Sequence, residues 1–426
     1  MLSDDTLCFP LAEPQRRLLD LIGAGGDPSA YVSVLAHRVR GPLDLPRLRR
    51  ALDALTDRHE PLRTAYPADE DGTVRRQRVG EPDALPWELT VVEQPSDAPG
   101  PPPPDDEDAL LREFAGRPFD LAHGPLGRVL VVRRAAEDHL VVLAVHLLAA
   151  DGWSLRILLD ELGAYYADAE RAHALLPPLD VQYADWAHWQ AAGRAPHPPA
   201  PRVPAPPAPR VPAPPAPRVP PPPSGGPGRR LRTAAVPVLE AERLARQERV
   251  PLFTVLLTAF ALAARGPSTR HHVSADVPVA GRDHPQLAPL TGYFTRFHRL
   301  DVALTGDLTF RQALRRVHDA WAGAGETGTG AAAVPLFSYR SGDVQPRLRL
   351  EGCAVTVLPW LHDAAKTDLA LITDRAGDVV HPMLEFRPSA VPERAAGRLG
   401  RRFAELLDDA AGAPDAPVDA VAEGRP

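Results

Sequence analysis

The first half of the chain combines helical and extended patterns of apolar residues. Asp44 and Pro46 precede a stripe of leucines with helical spacing, which predicts an amphipathic helix with an aspartate N-cap. The β-branched runs 129–133 and 139–147 are separated by a short polar stretch and predict a buried hairpin. Leucines and a tyrosine recur with helical spacing over 155–165, so the order over 139–166 is strand, turn, helix.

The second half repeats this mixture. The apolar stretch 252–264 predicts a buried helix, 273–279 a strand and 310–321 a further helix. The chain is therefore of the α/β (or α+β) class, with strands and helices in both halves.

A proline-rich repeat divides the two halves. The octapeptide APRVPAPP occurs at 200–207 and 208–215 and, with one alanine replaced by proline, at 216–223. Proline fixes φ and lacks an amide donor, so this segment predicts an extended spacer, or alternatively a ligand for a proline-recognition module. We expect an N-terminal subdomain over 1–190, a linker over 191–228 and a C-terminal subdomain over 229–426.

A second patch of prolines and acidic residues lies in the first half. Pro99–Pro104 is followed by the acidic run 105–108. This composition predicts a solvated loop.

The composition narrows the classes of partner. The net charge of −7 argues against nucleic acid as the main partner, and two distant cysteines exclude a disulfide framework. The N-terminus lacks a signal-peptide pattern, and the apolar stretches are too short to span a membrane. We expect a cytoplasmic monomer without membrane contact. Lys366 is the only lysine among the 48 basic residues.

The segment HLLAADGWS at 146–154 is the most informative for chemistry. It places His146 at a strand end and Asp151-Gly152 at a helix start. Asp151 can cap the helix, and Gly152 permits close approach of a substrate to its amide. The alternatives are a plain N-cap and a core histidine. No metal-ligand spacing and no P-loop are present, so we expect no cofactor on the chain itself.

Eight ordered motifs carry a resemblance to a known family. The chain resembles the condensation domains of nonribosomal peptide synthetases over about residues 7–410. Besides the segment around Asp151, the similar motifs are FPLAEPQR (9–16), RGPLD (40–44), RHEPLRT (58–64), FDLAHGPL (119–126), YADWAHWQ (183–190), PVAGR (278–282), GYF (292–294) and AKTDL (365–369).

The resemblance implies a fold and a reaction. It implies two chloramphenicol-acetyltransferase-like subdomains arranged as a V with a tunnel between them. Phosphopantetheine arms of partner carrier proteins enter this tunnel, and an amine attacks an acyl thioester. The second histidine of the family motif His-His-xxx-Asp-Gly is the catalytic one, and the aspartate, here Asp151, is structural and pairs with an arginine, here Arg282.

The chain departs from the family at the catalytic position. Counting back from Asp151, the second histidine is replaced by Leu147, which cannot transfer a proton. Strand alternation turns His146 to the opposite face, unless a bulge moves it. His146 and Gly152 remain the catalytic candidates. The candidates for contact with substrate in the tunnel are Trp153, Ser154 and Arg296, which replaces the family's usual asparagine.

Two functions follow from these observations. The first is a stand-alone condensation-like protein of secondary-metabolite biosynthesis, with reduced or altered activity, that joins a carrier-bound acyl group to an amine or hydroxyl acceptor. The alternative is an inactive scaffold that binds carrier proteins or recruits tailoring enzymes.

Overall fold

The computed structural model describes most of the chain in two compact units. The described residues are 7–23, 27–93, 104–193, 228–265, 272–304, 308–327, 334–341, 347–358 and 364–418. The repeat at 200–223 and most of the predicted linker lie outside them.

Strands and helices alternate along both units. The strands are β1 (Leu7–Pro10), β2 (Val32–Arg40), β3 (Thr64–Ala65), β4 (Arg76–Val79), β5 (Glu88–Glu93), β6 (Gly127–Ala135), β7 (Asp138–His146), β8 (Arg229–Arg232), β9 (Val236–Pro237), β10 (His272–Val279), β11 (Arg296–Ala303), β12 (Glu326–Thr327), β13 (Leu336–Arg340), β14 (Ala354–Leu358), β15 (Leu369–Ala376) and β16 (Val379–Phe386). The α-helices are α1 (Glu13–Gly23), α2 (Leu45–Arg58), α3 (Pro104–Gly116), α4 (Gly152–Ala167), α5 (Ala169–Leu175), α6 (Tyr183–Ala191), α7 (Leu239–Glu248), α8 (Leu252–Ala263), α9 (Phe310–Ala322) and α10 (Glu393–Glu405). Short 3-10 turns lie at Pro28–Tyr31, Glu60–Arg63 and Pro285–Leu287, and a π turn lies at Leu406–Ala410.

The local predictions from apolar periodicity agree with these elements. The predicted hairpin is β6 and β7, which pair antiparallel. Asp44 caps α2 by accepting the Arg47 amide at 2.8 Å. The predicted loop over 105–108 is wrong, because α3 already begins at Pro104, where the fixed φ of proline suits a first helical turn.

The two units are not continuous in sequence. The first contains the described residues of 1–223, 281–294 and 346–360, and the second contains those of 224–280, 295–345 and 361–426. The second unit therefore differs from the predicted C-terminal subdomain over 229–426 at two segments, 281–294 and 346–360, which belong to the first unit. One of them carries β14, which pairs antiparallel with β2 and so completes a sheet of the first unit.

The first unit contains a five-stranded sheet in the order β14-β2-β7-β6-β5. Its strands are antiparallel except for the parallel pair β5 and β6. Leu111 and Phe114 of α3 pack on one face against Leu140, Val142 and Ala144 of β7. This contact buries alternate residues of β7 on the α3 side of the sheet.

The second unit contains a larger sheet, in the order β12-β11-β10-β13-β15-β16-β8, with β9 also paired to β16. The helix α8 is apolar on nearly every side and is buried against this sheet. Phe260 of α8 stacks on Phe337 of β13 with ring centroids 5.1 Å apart.

His37 lies in the interior of the first sheet. It belongs to β2 and is paired with Val141 of β7 on one side and Val357 of β14 on the other. The residue is 1% exposed, and burial lowers the pKa of its imidazole from 6.5 to about 4. The folded protein therefore holds this ring in its neutral form.

We predict that acidification destabilises the protein through His37. Because the folded pKa is depressed, the unfolded state binds more protons, and stability present above pH 6.5 is lost as the pH falls towards about 4. The loss due to this ring reaches up to about 3 kcal/mol. Urea unfolding of the wild type and of His37→Leu between pH 7.5 and 4 checks this. An equally steep loss of stability in both proteins would contradict it.

Candidate functional site

Backbone hydrogen bonds hold the segment between β7 and α4. The amide of His146 donates to Leu126 O at 2.9 Å, and the amide of Leu147 donates to Tyr31 O at 2.9 Å. The carbonyl of His146 accepts the amides of the two alanines at 149 and 150. The turn over 147–151 is therefore held in place by backbone hydrogen bonds.

His146 is a buried, neutral side chain. It is 3% exposed and lies edge-on to Phe119, with ring centroids 5.9 Å apart. Its Nδ1 accepts the amide of Leu148 at 3.2 Å. Burial, together with the charge of Arg128, lowers the pKa of His146 to about 3. At neutral pH such a ring is a very weak base.

Arg128 belongs to the same buried group. Its guanidinium lies 4.1 Å from the ring centroid of Phe119 and 5.2 Å from that of Phe114. It donates to the backbone carbonyls of Phe114, at 2.8 Å, and Arg117. His146 thus lies among residues near α3, on the face of β7 that this helix covers.

Asp151 combines a helix cap with a buried ion pair. Its Oδ1 accepts the amide of Ser154 at 2.9 Å, at the first turn of α4. Its two carboxylate oxygens accept Nη1 and Nη2 of Arg282 at 2.8 and 3.1 Å, and Oδ2 also accepts the amide of Phe294 at 3.2 Å. Both side chains of the pair are 3% exposed. The predicted pairing of Asp151 with Arg282 is present, and both residues belong to the first unit.

Ser154 is part of this network. The residue is fully buried. Its hydroxyl lies 2.7 Å from Asp151 Oδ1 and accepts Nη2 of Arg282 at 2.8 Å and the amide of Gly292 at 3.1 Å. The hydrogen-bonding atoms of Ser154 are therefore engaged inside the protein, and its contact with substrate stays a prediction.

Gly292 fits this position because it has no side chain. Its φ is +139°, and a Cβ would lie 2.0 Å from Cδ2 of Tyr183. The Tyr183 hydroxyl donates to Tyr293 O at 2.7 Å, and its ring packs on Phe294 at 4.7 Å. The motifs around Asp151, Tyr183, Arg282 and Gly292, which are far apart in sequence, therefore meet in one buried cluster.

The remaining candidates lie in different surroundings. Gly152 is exposed, and a Cβ added there would meet nothing within 4 Å. Trp153 donates Nε1 to Ala288 O at 2.9 Å. Arg296 lies at the start of β11 in the second unit, with Nη1 3.6 Å from Glu326 Oε2. No observation tests a substrate contact for Trp153 or Arg296, so these two roles stay predictions.

The site contains hydrogen-bond donors but no proton acceptor at Leu147. Leu147 is 7% exposed, and its isobutyl group can only exclude water or contact apolar groups. Among the described residues, no group of three or more His, Cys, Asp or Glu side chains is placed to hold a metal ion. The same part of the chain has no helix long and apolar enough to cross a membrane.

Sequence reasoning missed the role of Ser154 and Tyr183 in supporting the motif. The sequence did carry a signal for Ser154, because it is the third residue after Asp151. The side chain of an N-cap residue accepts the backbone amide at that position. No sequence signal pairs Tyr183 with Gly292, since 109 positions separate them.

We predict that Asp151→Ala destabilises the fold. The substitution leaves the buried Arg282 without its carboxylate, which costs on the order of 3–5 kcal/mol. Asp44→Ala is the matched control, since it removes an exposed helix cap without an ion pair of this kind and costs about 1 kcal/mol. Urea unfolding of both variants measures the difference, and equal losses would contradict the prediction.

The comparisons with known sequences agree on one family. Residues 8–196 match the family described as Condensation domain. Phosphinothricin tripeptide synthetase PhsC of Streptomyces viridochromogenes is 30% identical over 96% of this chain and 40% of its own length. The nonribosomal peptide synthetase kk1B of Curvularia clavata is 32% identical over 67% of this chain and 2% of its own length. The chain thus spans well under half the length of these relatives.

Solved structures show the same fold. The X-domain from teicoplanin biosynthesis has a TM-score of 0.75 at 20% identity, with 96% of each chain covered, and is also known in a complex with OxyB. The first condensation domain of the CDA synthetase has a TM-score of 0.71 at 18% identity, with 97% of this chain and 98% of that one covered. The predicted class, α/β subdomains like those of chloramphenicol acetyltransferase, is confirmed.

The family match, the similarity to peptide synthetases over nearly the whole chain and the shared fold point the same way. Residues 8–196 match the Condensation domain family, and the described part of the chain has the fold of solved condensation domains.

Proposed function

We propose that this protein is a condensation-type acyltransferase with reduced or altered activity. It joins an acyl group, carried as a thioester on the phosphopantetheine arm of a carrier protein, to an amine or hydroxyl acceptor. The observation that supports this most is the intact network around Asp151, which holds the start of α4 while Gly152 stays exposed.

The start of α4 is the group that can assist the reaction. In the attack, the acceptor nitrogen or oxygen bonds to the thioester carbon, the C–S bond breaks, and the thiolate leaves. Negative charge develops on the carbonyl oxygen, and amides at the N-terminus of a helix favour such charge. Gly152 is the first residue of α4, and the open space beside it leaves room for this approach.

The absence of a histidine at position 147 restricts which acceptor groups can react. Leu147 accepts no proton, so the proton of the acceptor passes to solvent or to the leaving thiolate. Catalysis then depends on holding the two reactants in place, which by itself can remove much of the barrier. Amines that are partly neutral at the working pH suit this arrangement best.

A second candidate is a scaffold that binds a protein partner without catalysis. Two observations favour it: Leu147 at the catalytic position, and the burial of His146, which holds the pKa of its ring near 3. The X-domain from teicoplanin biosynthesis, which has this fold, is seen in complex with OxyB. By analogy, the partners would be carrier proteins or tailoring enzymes.

We predict that Leu147→His raises turnover. A histidine at this position supplies a base, whose pKa is about 6.5 when its surroundings do not shift it, and a positioned base contributes about 10²–10⁴-fold. Amide formation from an acyl-loaded carrier protein and an amine acceptor is measured by mass spectrometry. Leu147→Gln is the control, because it is polar but not basic.

The outcome separates the two functions. No turnover by wild type or Leu147→His, with carrier binding confirmed for both, would leave the scaffold as the function. His146→Ala should lower stability more than turnover. Loss of activity in a folded His146→Ala protein would instead assign the chemistry to His146.

We predict that Gly152→Ala lowers turnover without lowering stability. The added methyl group enters open space in a helical residue, so the urea midpoint should not fall. It narrows the approach to the first amides of α4, so kcat/KM should fall severalfold. Gly23→Ala in α1, which also adds a methyl group to open space, is the matched control. Equal kcat/KM in both variants and the wild type would exclude a role for Gly152.

A further inference from the structure

The two large sheets end on four edge strands within the described part of the chain. These are β14 and β5 in the first unit and β12 and β8 in the second. An edge strand leaves a row of backbone amides and carbonyls unpaired. It can therefore pair with a strand of another chain, unless charged side chains, proline or a very short strand prevents this.

Three of the four edges are protected in this way. β12 has only two residues. β8 carries three arginines in Arg229–Arg232, so two such strands paired antiparallel would place arginines opposite one another, and β9, which continues this edge, contains Pro237. β5 has a charged side chain at each end, Glu88 and Glu93.

β14 has none of these protections. Its five residues, Ala354–Leu358, include no charged side chain and no proline. One side of the strand pairs antiparallel with β2, and no described strand pairs with the other side. Val357 is 49% exposed, and Thr356 is exposed as well. The open edge of the first sheet is therefore uncharged and largely apolar.

The pattern of β14 suits pairing with a copy of itself. A two-fold axis normal to the sheet makes two copies of one strand antiparallel, and residues that lie opposite one another then share a face. With the axis at Thr356, all five residues are paired. Thr356 lies opposite its own copy, Val355 lies opposite Val357, and Ala354 lies opposite Leu358. Pairs of threonines and of β-branched residues stabilise antiparallel strands.

The charges beside β14 do not oppose this pairing. Arg38 and Arg40 of β2 are the partners of Thr356 and Ala354, and Arg38 is ion-paired with Asp138. When two β14 strands pair, the two β2 strands are three strand spacings apart. This distance is about 14 Å, which exceeds the screening length of about 10 Å in physiological salt.

We propose that the free edge of β14 pairs with the same strand of a second copy of this chain, so that the two five-stranded sheets become one continuous sheet. Each copy uses its β14 edge in the contact, and the β5 edges at the two ends of the joined sheet are charged, so the assembly closes as a dimer. Five residue pairs form a small interface compared with the usual area of about 1,600 Å². The dimer therefore forms at high protein concentration.

Sedimentation equilibrium of the full chain over a hundredfold range of concentration tests the proposal. We expect the weight-average mass to rise from the monomer value towards twice that value. Thr356→Lys places two positive charges opposite each other at the axis and should weaken the association severalfold. Thr90→Lys is the matched control, because it makes the same change at an exposed threonine of β5, and it should associate like the wild type. Urea unfolding checks that both variants are folded.

A disulfide tests the register. Opposite residues of an antiparallel pair have Cα atoms about 4.5–5.5 Å apart, which a disulfide can bridge. Cys8 is exposed and is therefore replaced by serine in this experiment. In that background, Thr356→Cys should give a disulfide-linked dimer on mild oxidation, whereas Thr90→Cys should remain monomeric.

Three results would overturn the proposal. The first is a wild type that stays monomeric at every concentration, as predicted from the sequence. The second is equal weakening by the two lysine variants, because the dimer would then use another surface. The third is protection of the β14 amides from hydrogen exchange that does not change with concentration, because another part of the same chain would then cover the edge. The carrier-dependent test of condensation is independent of all three.

Discussion

The buried carboxylate of Asp151 is the constraint on which the rest of the site depends. A charge that is 3% exposed is tolerated only when it is paired and hydrogen-bonded, and here Arg282 and the amides of Ser154 and Phe294 meet this need. These partners come from α4 and from the segment 281–294, so satisfying one carboxylate joins two distant parts of the first unit. The close fit of Gly292 against Tyr183 follows from this arrangement.

The network that supports the motif is separate from the group that transfers protons. The first consists of buried ion pairs and hydrogen bonds, and it is complete. The second would stand at Leu147, where an apolar group is found, while the neighbouring His146 is buried beside Arg128 with its pKa near 3. The network around Asp151 is therefore complete although Leu147 offers no base, and this arrangement is compatible with both of the functions proposed above.

In the second unit, too, buried charged side chains hold a loop by its backbone. Glu385 and Arg387 are buried charges that hold the loop at Lys366 by its backbone. In both units, buried ions hold a short segment by its backbone: the start of α4 in the first and the loop around Lys366 in the second. The cost of burying the ions is offset by hydrogen bonds that leave little freedom to the loop.

The sequence by itself determined the local elements and the identity of the central pair. Periodicity is a local property, so it predicted α2, the hairpin of β6 and β7, and α4, and the ordered motifs pointed to Asp151 and Arg282. Only the tertiary structure decided which segments share a unit. The pairing of β14 with β2, the burial of Ser154 and the contact of Tyr183 with Gly292 depend on residues far apart along the chain. No local pattern encodes them, because such contacts form only when the whole unit packs.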